Sequence, residues 1–466
     1  MVNPVTFLIF IIVIYQSLHA NDLRRLSFLL FVDSLVFALL TNSGYFIKIG
    51  SLSIEYEEAL MVCFITVLTI SGGIWRLRSS IFVKSLVLLA TVSVGLCLLA
   101  VNPINILVLP IGGSWDAYYA GSYILEPLTF SVRNSERLFR LVLFIIVVIG
   151  LNDLTRDKKF RLELIKAIIV ITVLQTALGY LDLGTKLFFH QPVLQSLATS
   201  LLGQGASQYQ SIGKRAGAYF IQALMKEPSH FAVSLVPGLT IFALSRKRNV
   251  STSLLEIASV AILFLSGSFA GFAIILYWLT LKLFRYVLES KLGKIISFAI
   301  VIGVLILIVF LIGMLADIIP LLGYYLSRLS GLIGTGPSIG SESIRLYSIK
   351  SSLEYLSKRP VFGIGLGSTS AHGFIPSLLS NIGLAGFIIW IVFLLDAFSI
   401  RRRNFVPLIL WLILAIFTGD IGWFYNIMGL TMLLAVANSS CYGNKQKSYA
   451  NSLERREKSG PLKIQW

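Results

Sequence analysis

Residues 341–386 read SESIRLYSIKSSLEYLSKRPVFGIGLGSTSAHGFIPSLLSNIGLAG. A charged helical repeat runs into a glycine-rich turn and then into the start of an apolar helix. From Ile344 to Arg359, apolar Leu346, Ile349, Leu353 and Leu356 recur at helical spacing and are expected to form one buried stripe. Arg345 falls at the edge of that stripe. Lys350, Glu354 and Lys358 lie one turn apart on the opposite, wet face, where their charges can pair. Pro360 is expected to stop the helix. Gly363, Gly365 and Gly367 follow, then His372 directly before the next helix. The glycines do not form a dinucleotide fingerprint, because they follow a helix and lack its spacing. Two readings of them stay open: a plain tight turn, or a turn that brings backbone N–H groups to an anion. His372 reads either as a capping residue or as a proton-transfer group. Arg345 reads either as a lipid-headgroup contact or as a fork on a diphosphate.

This polar stretch stands in a chain of 466 residues that is 56% hydrophobic and 13% charged, with mean hydropathy +0.83. Long apolar runs of this kind are transmembrane helices, since a helix satisfies its own backbone inside lipid. The alternation of a β-barrel is absent. About thirteen spans are drawn, at 4–20, 26–46, 57–75, 81–101, 136–151, 163–182, 229–245, 253–267, 270–286, 295–316, 378–398, 405–419 and 423–438. The expected fold is therefore an all-α polytopic membrane protein. Residues 1–438 form the helical domain, with long loops at 183–228 and 317–377, and residues 439–466 form a polar tail. A further long loop, about 102–135, holds Trp115, Asp116, Tyr118 and Tyr119.

Lys and Arg set the orientation. Arg24 and Arg25, Arg76 and Arg78, Arg156 with Lys158 and Lys159, Arg246 to Arg248, Lys282 to Lys294, Arg401 to Arg403 and the tail all fall on one side, which the inside-positive rule makes the cytoplasm. The N-terminus is then outside and the C-terminus inside. The net charge of +17 is spread over short loops in this way, which argues against nucleic acid as a partner. Residues 204–232 and 317–386 are the exceptions, being basic and outside. The first of them ends KRAGAYFIQALMKEPSHFA, residues 214–232. Pro228 after Glu227 marks a helix start and puts Glu227 near the positive end of that helix dipole. His230 lies three residues on, so the two read either as a base with its orienting partner or as a cap and a packed helix residue. Lys214, Arg215 and Lys226 supply cations nearby. Within the spans, Asp33 and Arg140 read either as functional charges or, the favoured reading, as charges paired with a neighbouring polar helix residue. There is no P-loop, no Asp-x-Asp pair and no Cys/His metal spacing among Cys63, Cys97 and Cys441, so neither a metal nor another cofactor is expected.

An Arg a dozen residues before RPVFGIGLGS, then His372, then PSLLSNIGLAG entering a helix, resembles the O-antigen ligase/polymerase superfamily. The EPSHFA ending of the other loop resembles its Wzy-type polymerases. The likeness spans roughly Arg215 to Gly386. Many members have a Ser-Arg-Gly step in a helix turn, where this chain reads SGSFAG from Ser266 to Gly271, and Gly373 follows His372 where Asn is frequent. The resemblance implies a GT-C-like bundle in the bacterial inner membrane. It would polymerise undecaprenyl-diphosphate-linked repeat units by metal-independent, inverting glycosyl transfer. Implied site residues are Arg215, Arg345, Lys214, Arg328 and Lys350 on the diphosphate, with Glu227, His372 and His230 as proton handlers. Implied partners are the lipid-linked donor and acceptor, a chain-length regulator and a flippase. The alternatives are a ligase moving glycan to a lipid A core, and a lipid-glycan transporter with charges near the midplane.

Overall fold

The computed structural model describes residues 4–40, 45–49, 52–72, 79–102, 104–108, 126–202, 214–215, 218–225, 227–244, 250–289, 320, 323–327, 341–369 and 373–397. The expected spans at 295–316, 405–419 and 423–438, and the polar tail, lie outside the described residues.

The protein is a helical membrane bundle. Helices α1 (Pro4–His19), α2 (Leu23–Leu40), α3 (Tyr56–Ile70) and α4 (Ser79–Val101) are followed by α5 (Val132–Arg156) and α6 (Lys158–Phe188). Short α7 (Val193–Leu202) leads to α8 (Pro228–Ser234) and α9 (Val236–Leu244), then α10 (Val250–Leu265) and α11 (Phe269–Glu289). Finally come α12 (Ser341–Lys358) and α13 (Phe374–Ala397). Five of these, α4, α5, α6, α11 and α13, are long and apolar enough to cross a membrane. Among the described residues, three small antiparallel hairpins sit in the loops: β1 (Tyr45–Ile49) with β2 (Leu52–Glu55), β3 (Leu107–Val108) with β4 (Glu126–Pro127), and β5 (Lys214–Arg215) with β6 (Ala218–Tyr219).

Local chemistry sets several boundaries. Helix α3 opens with a capping box in which the Glu55 amide donates to the Glu58 carboxylate at 3.1 Å. Helix α5 does the same with Ser131 and Asn134, and so begins four residues before the expected 136. Asp157 caps α6 by accepting from the Lys159 amide at 2.8 Å. At 31 residues, α6 outruns the expected 163–182 at both ends. It extends about 46 Å, well past a hydrocarbon core of about 30 Å.

Lipid gives little hydrophobic drive between helices, so close approach and buried hydrogen bonds hold the bundle. Gly238 lets α9 sit against Thr172 of α6, and Gly179 makes room for Phe231 of α8. Gln175 donates to Ser234 at 2.9 Å, Thr176 meets Ser259 at 2.9 Å, and Thr240 meets Tyr277 at 3.0 Å. Three ion pairs lie at one end: Arg24 with Asp153 at 3.3 Å, Arg25 with Glu163, and Lys84 with Asp396 at 2.6 Å. The segments holding Arg24, Arg25 and Arg156 to Lys159 therefore share a side, as the charge pattern expects. Asp33 and Arg140 do have polar partners: Gln16 donates to Asp33 at 2.6 Å, and Arg140 pairs with Glu58 and Glu136, both at 2.9 Å. The long loops leave from the other end, called the loop end below.

Candidate loop-end functional site

The second loop reaches the loop end through a buried ionic knot. Asp182, in the penultimate turn of α6, is 0% exposed, and Lys186, one turn on, is 2% exposed. Asp182 Oδ2 accepts from Lys186 Nζ at 3.0 Å and from the backbone amides of Gln222 at 2.9 Å and Ala223 at 3.1 Å. Its Oδ1 accepts from Gln195 Nε2 of α7 at 3.0 Å. The donors also reach past the carboxylate: Lys186 Nζ donates to the Phe220 carbonyl at 2.7 Å, and Gln195 Nε2 to the Ala223 carbonyl at 3.0 Å. Ala223 is held at φ 51°, a left-handed conformation that a non-glycine residue adopts only when its surroundings impose it.

This knot fixes the segment carrying several expected site residues. Just before it, the β5–β6 hairpin pairs Lys214 with Tyr219 and Arg215 with Ala218. Just after it, Glu227 stands in extended conformation at the N-cap position of α8, with Pro228 in the first turn, as the sequence predicts. Its carboxylate accepts from Ser229 Oγ at 2.9 Å, and His230 stands half-buried in the first turn of the same helix. Lys214, Arg215, Glu227 and His230 thus belong to one anchored stretch.

The third loop is held differently. Helix α13 is broken at Gly383, whose φ of 69° and ψ of −178° are not helical. The chain after α12 inserts into the break. The amides of Ile364 and Gly365 donate to the carbonyls of Ser380 and Asn381 at 2.9 and 3.1 Å. The amides of Leu384 and Ala385 in turn donate to the carbonyls of Pro360 and Val361 at 2.8 and 3.0 Å. Groups freed by the break are thereby re-paired, as burial in an apolar setting demands. The crossing is backbone on backbone, so a Cβ has no room: one on Gly363 would come within 2.6 Å of the Asn381 carbonyl, and one on Gly383 would strike Val361. The Asn381 side chain locks the rest. It accepts from the Ser368 amide at 3.0 Å and donates to the carbonyls of Thr369 and Ser377 at 3.1 and 2.7 Å. Asn134 of α5 adds a bond from its Nδ2 to the Leu366 carbonyl at 2.8 Å.

One of the two open readings of the glycines, and one expectation for α12, are corrected here. The anion-nest reading of the glycine turn fails for the amides of Gly363, Ile364, Gly365 and Ser368, which bond to carbonyls or Asn381 within the protein. The buried stripe of α12 is also different. Leu353 is 53% exposed, whereas Ser351 and Ser352 are buried, and Tyr355 reaches the Leu107 carbonyl. Small serines let α12 approach its neighbours closely, and that packing outweighs the apolar periodicity. The wet face is as expected, with Lys350, Glu354 and Lys358 exposed. Arg345 lies on α12, but its side chain is outside the described residues, as are Arg328 and His372.

The two loops share a seat. The Ile221 amide donates to the Ser266 carbonyl at 3.4 Å in the turn between α10 and α11. Tyr325, early in the third loop, donates to the Phe264 carbonyl at 3.0 Å beside the same turn and stacks on Phe272 at 5.0 Å. The α10–α11 turn with its flanks, Phe264 to Phe272, is therefore where residues of both basic loops attach.

Sequence reasoning missed Arg133 and Arg137. With Arg140 they are spaced four and three residues apart, on one face of α5 at the loop end. Arg137 borders the glycine turn, where a Cβ on Gly367 would lie 3.0 Å from its Cγ. The same exception to the inside-positive pattern that marks the two loops marks this ladder. It stayed hidden because the helix was expected to start at 136. No protein-family model matches this chain, and no curated protein matches it significantly.

Proposed function

We propose that this protein is a polysaccharide polymerase of the bacterial inner membrane, joining glycan repeat units carried on undecaprenyl diphosphate. The observation that carries the reading is the convergence of the two basic loops on the α10–α11 turn, with Lys214, Arg215 and Glu227 on one anchored stretch. In this reading the loop end faces the periplasm, the N-terminus is periplasmic and the C-terminus cytoplasmic. The architecture is a GT-C-like bundle of about thirteen spans.

The chemistry follows from the groups at hand. An acceptor hydroxyl attacks the anomeric carbon of the donor, and the bond from that carbon to the diphosphate oxygen breaks with inversion. The leaving diphosphate gains negative charge, which fixed cations stabilise without reorganising. Arg215, Lys214, Arg345, Arg328 and Lys350 are assigned that role, with Arg133 and Arg137 added beside the glycine turn. A base takes the hydroxyl proton as the new bond forms. Glu227, His230 and His372 are its candidates, and Glu227 is oriented by Ser229. The bond to diphosphate supplies the driving force, and the apolar bundle accommodates the polyprenyl chain. Partners are the lipid-linked donor and acceptor, with a flippase and a chain-length regulator acting around them.

The test is elongation of undecaprenyl-diphosphate-linked repeat units by protein in liposomes. Arg215→Ala and Arg345→Ala each abolish elongation while folded protein is retained; normal chains from both overturn the anion site. Comparing Glu227→Ala with His372→Ala identifies the base, and wild-type turnover in both removes them from that role. Transfer of glycan to a lipid A core without elongation would instead make the protein a ligase.

A further inference from the structure

We propose that Asp182 is a positioning residue for the second loop: it holds residues 220–223 in one conformation, so that the Lys214–Arg215 strand and Glu227 are presented in place before substrate arrives. This rests on the reading that those residues serve the transfer reaction. Three observations lead to it.

The first is energetic. A carboxylate and an ammonium with 0% and 2% exposure are a poor source of stability, because removing two charges from water offsets most of their attraction. Apolar residues would join α6 to its neighbours at less expense. The second is the direction of the bonds. An ordinary pair four residues apart on a helix satisfies itself, whereas Asp182 accepts two amides from the loop and Lys186 donates to a third loop residue. Gln195 closes the ring by bonding both Asp182 and the Ala223 carbonyl. The third is what the ring holds. Ala223 is in left-handed backbone, a conformation the chain does not keep unaided. The β5–β6 hairpin ends one residue before Phe220, and Glu227 begins α8 four residues after Ala223. Fixing 220–223 therefore fixes what stands on both sides.

Asp182 does not reach the reacting atoms in this account; it acts through the backbone it holds. An ion pair kept only to join helix turns would make a different prediction, because reversing its charges would restore it.

The experiment uses three variants of the full chain. Asp182→Leu with Lys186→Met removes both charges together with the acceptor of the Gln222 and Ala223 amides, and leaves no lone buried ion. Asp182→Lys with Lys186→Asp reverses the pair but puts no acceptor under the Gln222 and Ala223 amides. Gln195→Leu keeps the ion pair and removes the amide that bridges Asp182 Oδ1 to the Ala223 carbonyl. Each purified protein is first checked for an unchanged thermal midpoint and then digested with trypsin, with cleavage after Lys214 and Arg215 mapped by mass spectrometry. The neutral pair is expected to be cut there about tenfold faster than wild type, because local opening governs cleavage of a folded chain. The reversed pair is expected to be cut equally fast, and Gln195→Leu at an intermediate rate. Elongation should fall in the same order. Wild-type resistance of the neutral pair, or its recovery in the reversed pair, overturns the proposal. Digestion needs no substrate, so it decides the anchoring even if Arg215→Ala shows that the transfer reading is wrong.

Discussion

Residues 220–225 and residues 360–369 both meet the bundle at the loop end, and they are held there by different chemistry. Under the second loop the ring is ionic: one carboxylate collects an ammonium, a side-chain amide and two backbone amides. Under the third loop the holding groups are neutral, four backbone bonds across a helix break with Asn381 filling the remainder. The ionic arrangement depends on side chains and can be dismantled without changing the path of any helix. The neutral one is made of the main chain, so it fails only when the chain cannot approach itself. A loop held the first way can change conformation while the bundle stays folded; one held the second way shares the fate of α13.

That contrast can be broken most severely at Gly383. Gly383→Val puts a side chain into the Val361 carbonyl at a positive φ, and destabilisation of about 4 kcal/mol or more is expected. Thermal unfolding and size-exclusion profiles should show loss of folded protein, and a normal profile would mean the crossing is not there. Asn381→Leu comes next. It takes the side-chain acceptor from the Ser368 and Thr369 amides and the side-chain donor from the carbonyls of Thr369 and Ser377, for an expected loss of about 1–3 kcal/mol. The neutral Asp182 and Lys186 variant should leave the midpoint nearly unchanged, so similar losses in the two would erase the distinction between the loops. Ser352→Leu overpacks the close face of α12 and should cost about 1–3 kcal/mol. Leu353→Ser, on the exposed face, should stay within about 0.5 kcal/mol. If those two exchange places, α12 is rotated and the apolar periodicity is its true guide.

Much of the bundle was legible because burial in lipid is a property of runs, which composition reveals. The start of α8 at Pro228 and the end of α12 before Pro360 were legible because proline acts on its own neighbours. The wet face of α12 was legible from three charges one turn apart. The break in α13 was not. The residues NIGLAG read as a small-residue step in a continuous helix, and only the segment some twenty residues upstream shows that the step admits another backbone. Asp182 and Lys186 were unreadable for a related reason: a carboxylate four residues before a lysine has the spacing of a solvent-exposed pair. Its burial depends on Gln195 and on a turn about forty residues later. The shifted packed face of α12 shows the limit of periodicity in a helix rich in serine, where small size rather than hydropathy picks the packed face. At the candidate site, residue types pointed to anion chemistry, while the seat common to both loops required the fold.

The crossing in α13 also has a consequence for biogenesis. It joins residues 360–365 to 380–385, so the loop it closes is short and both sides emerge from the ribosome within a few seconds of each other. The Asp182 ring closes a loop about twice as long, at an added entropic cost of about 0.6 kcal/mol. Its partners on α6 are made first and wait for the turn that completes them. The break at Gly383 is therefore expected to assemble as a local unit once residues 359–385 are in place, so that α13 forms already kinked instead of being bent from a straight helix after insertion.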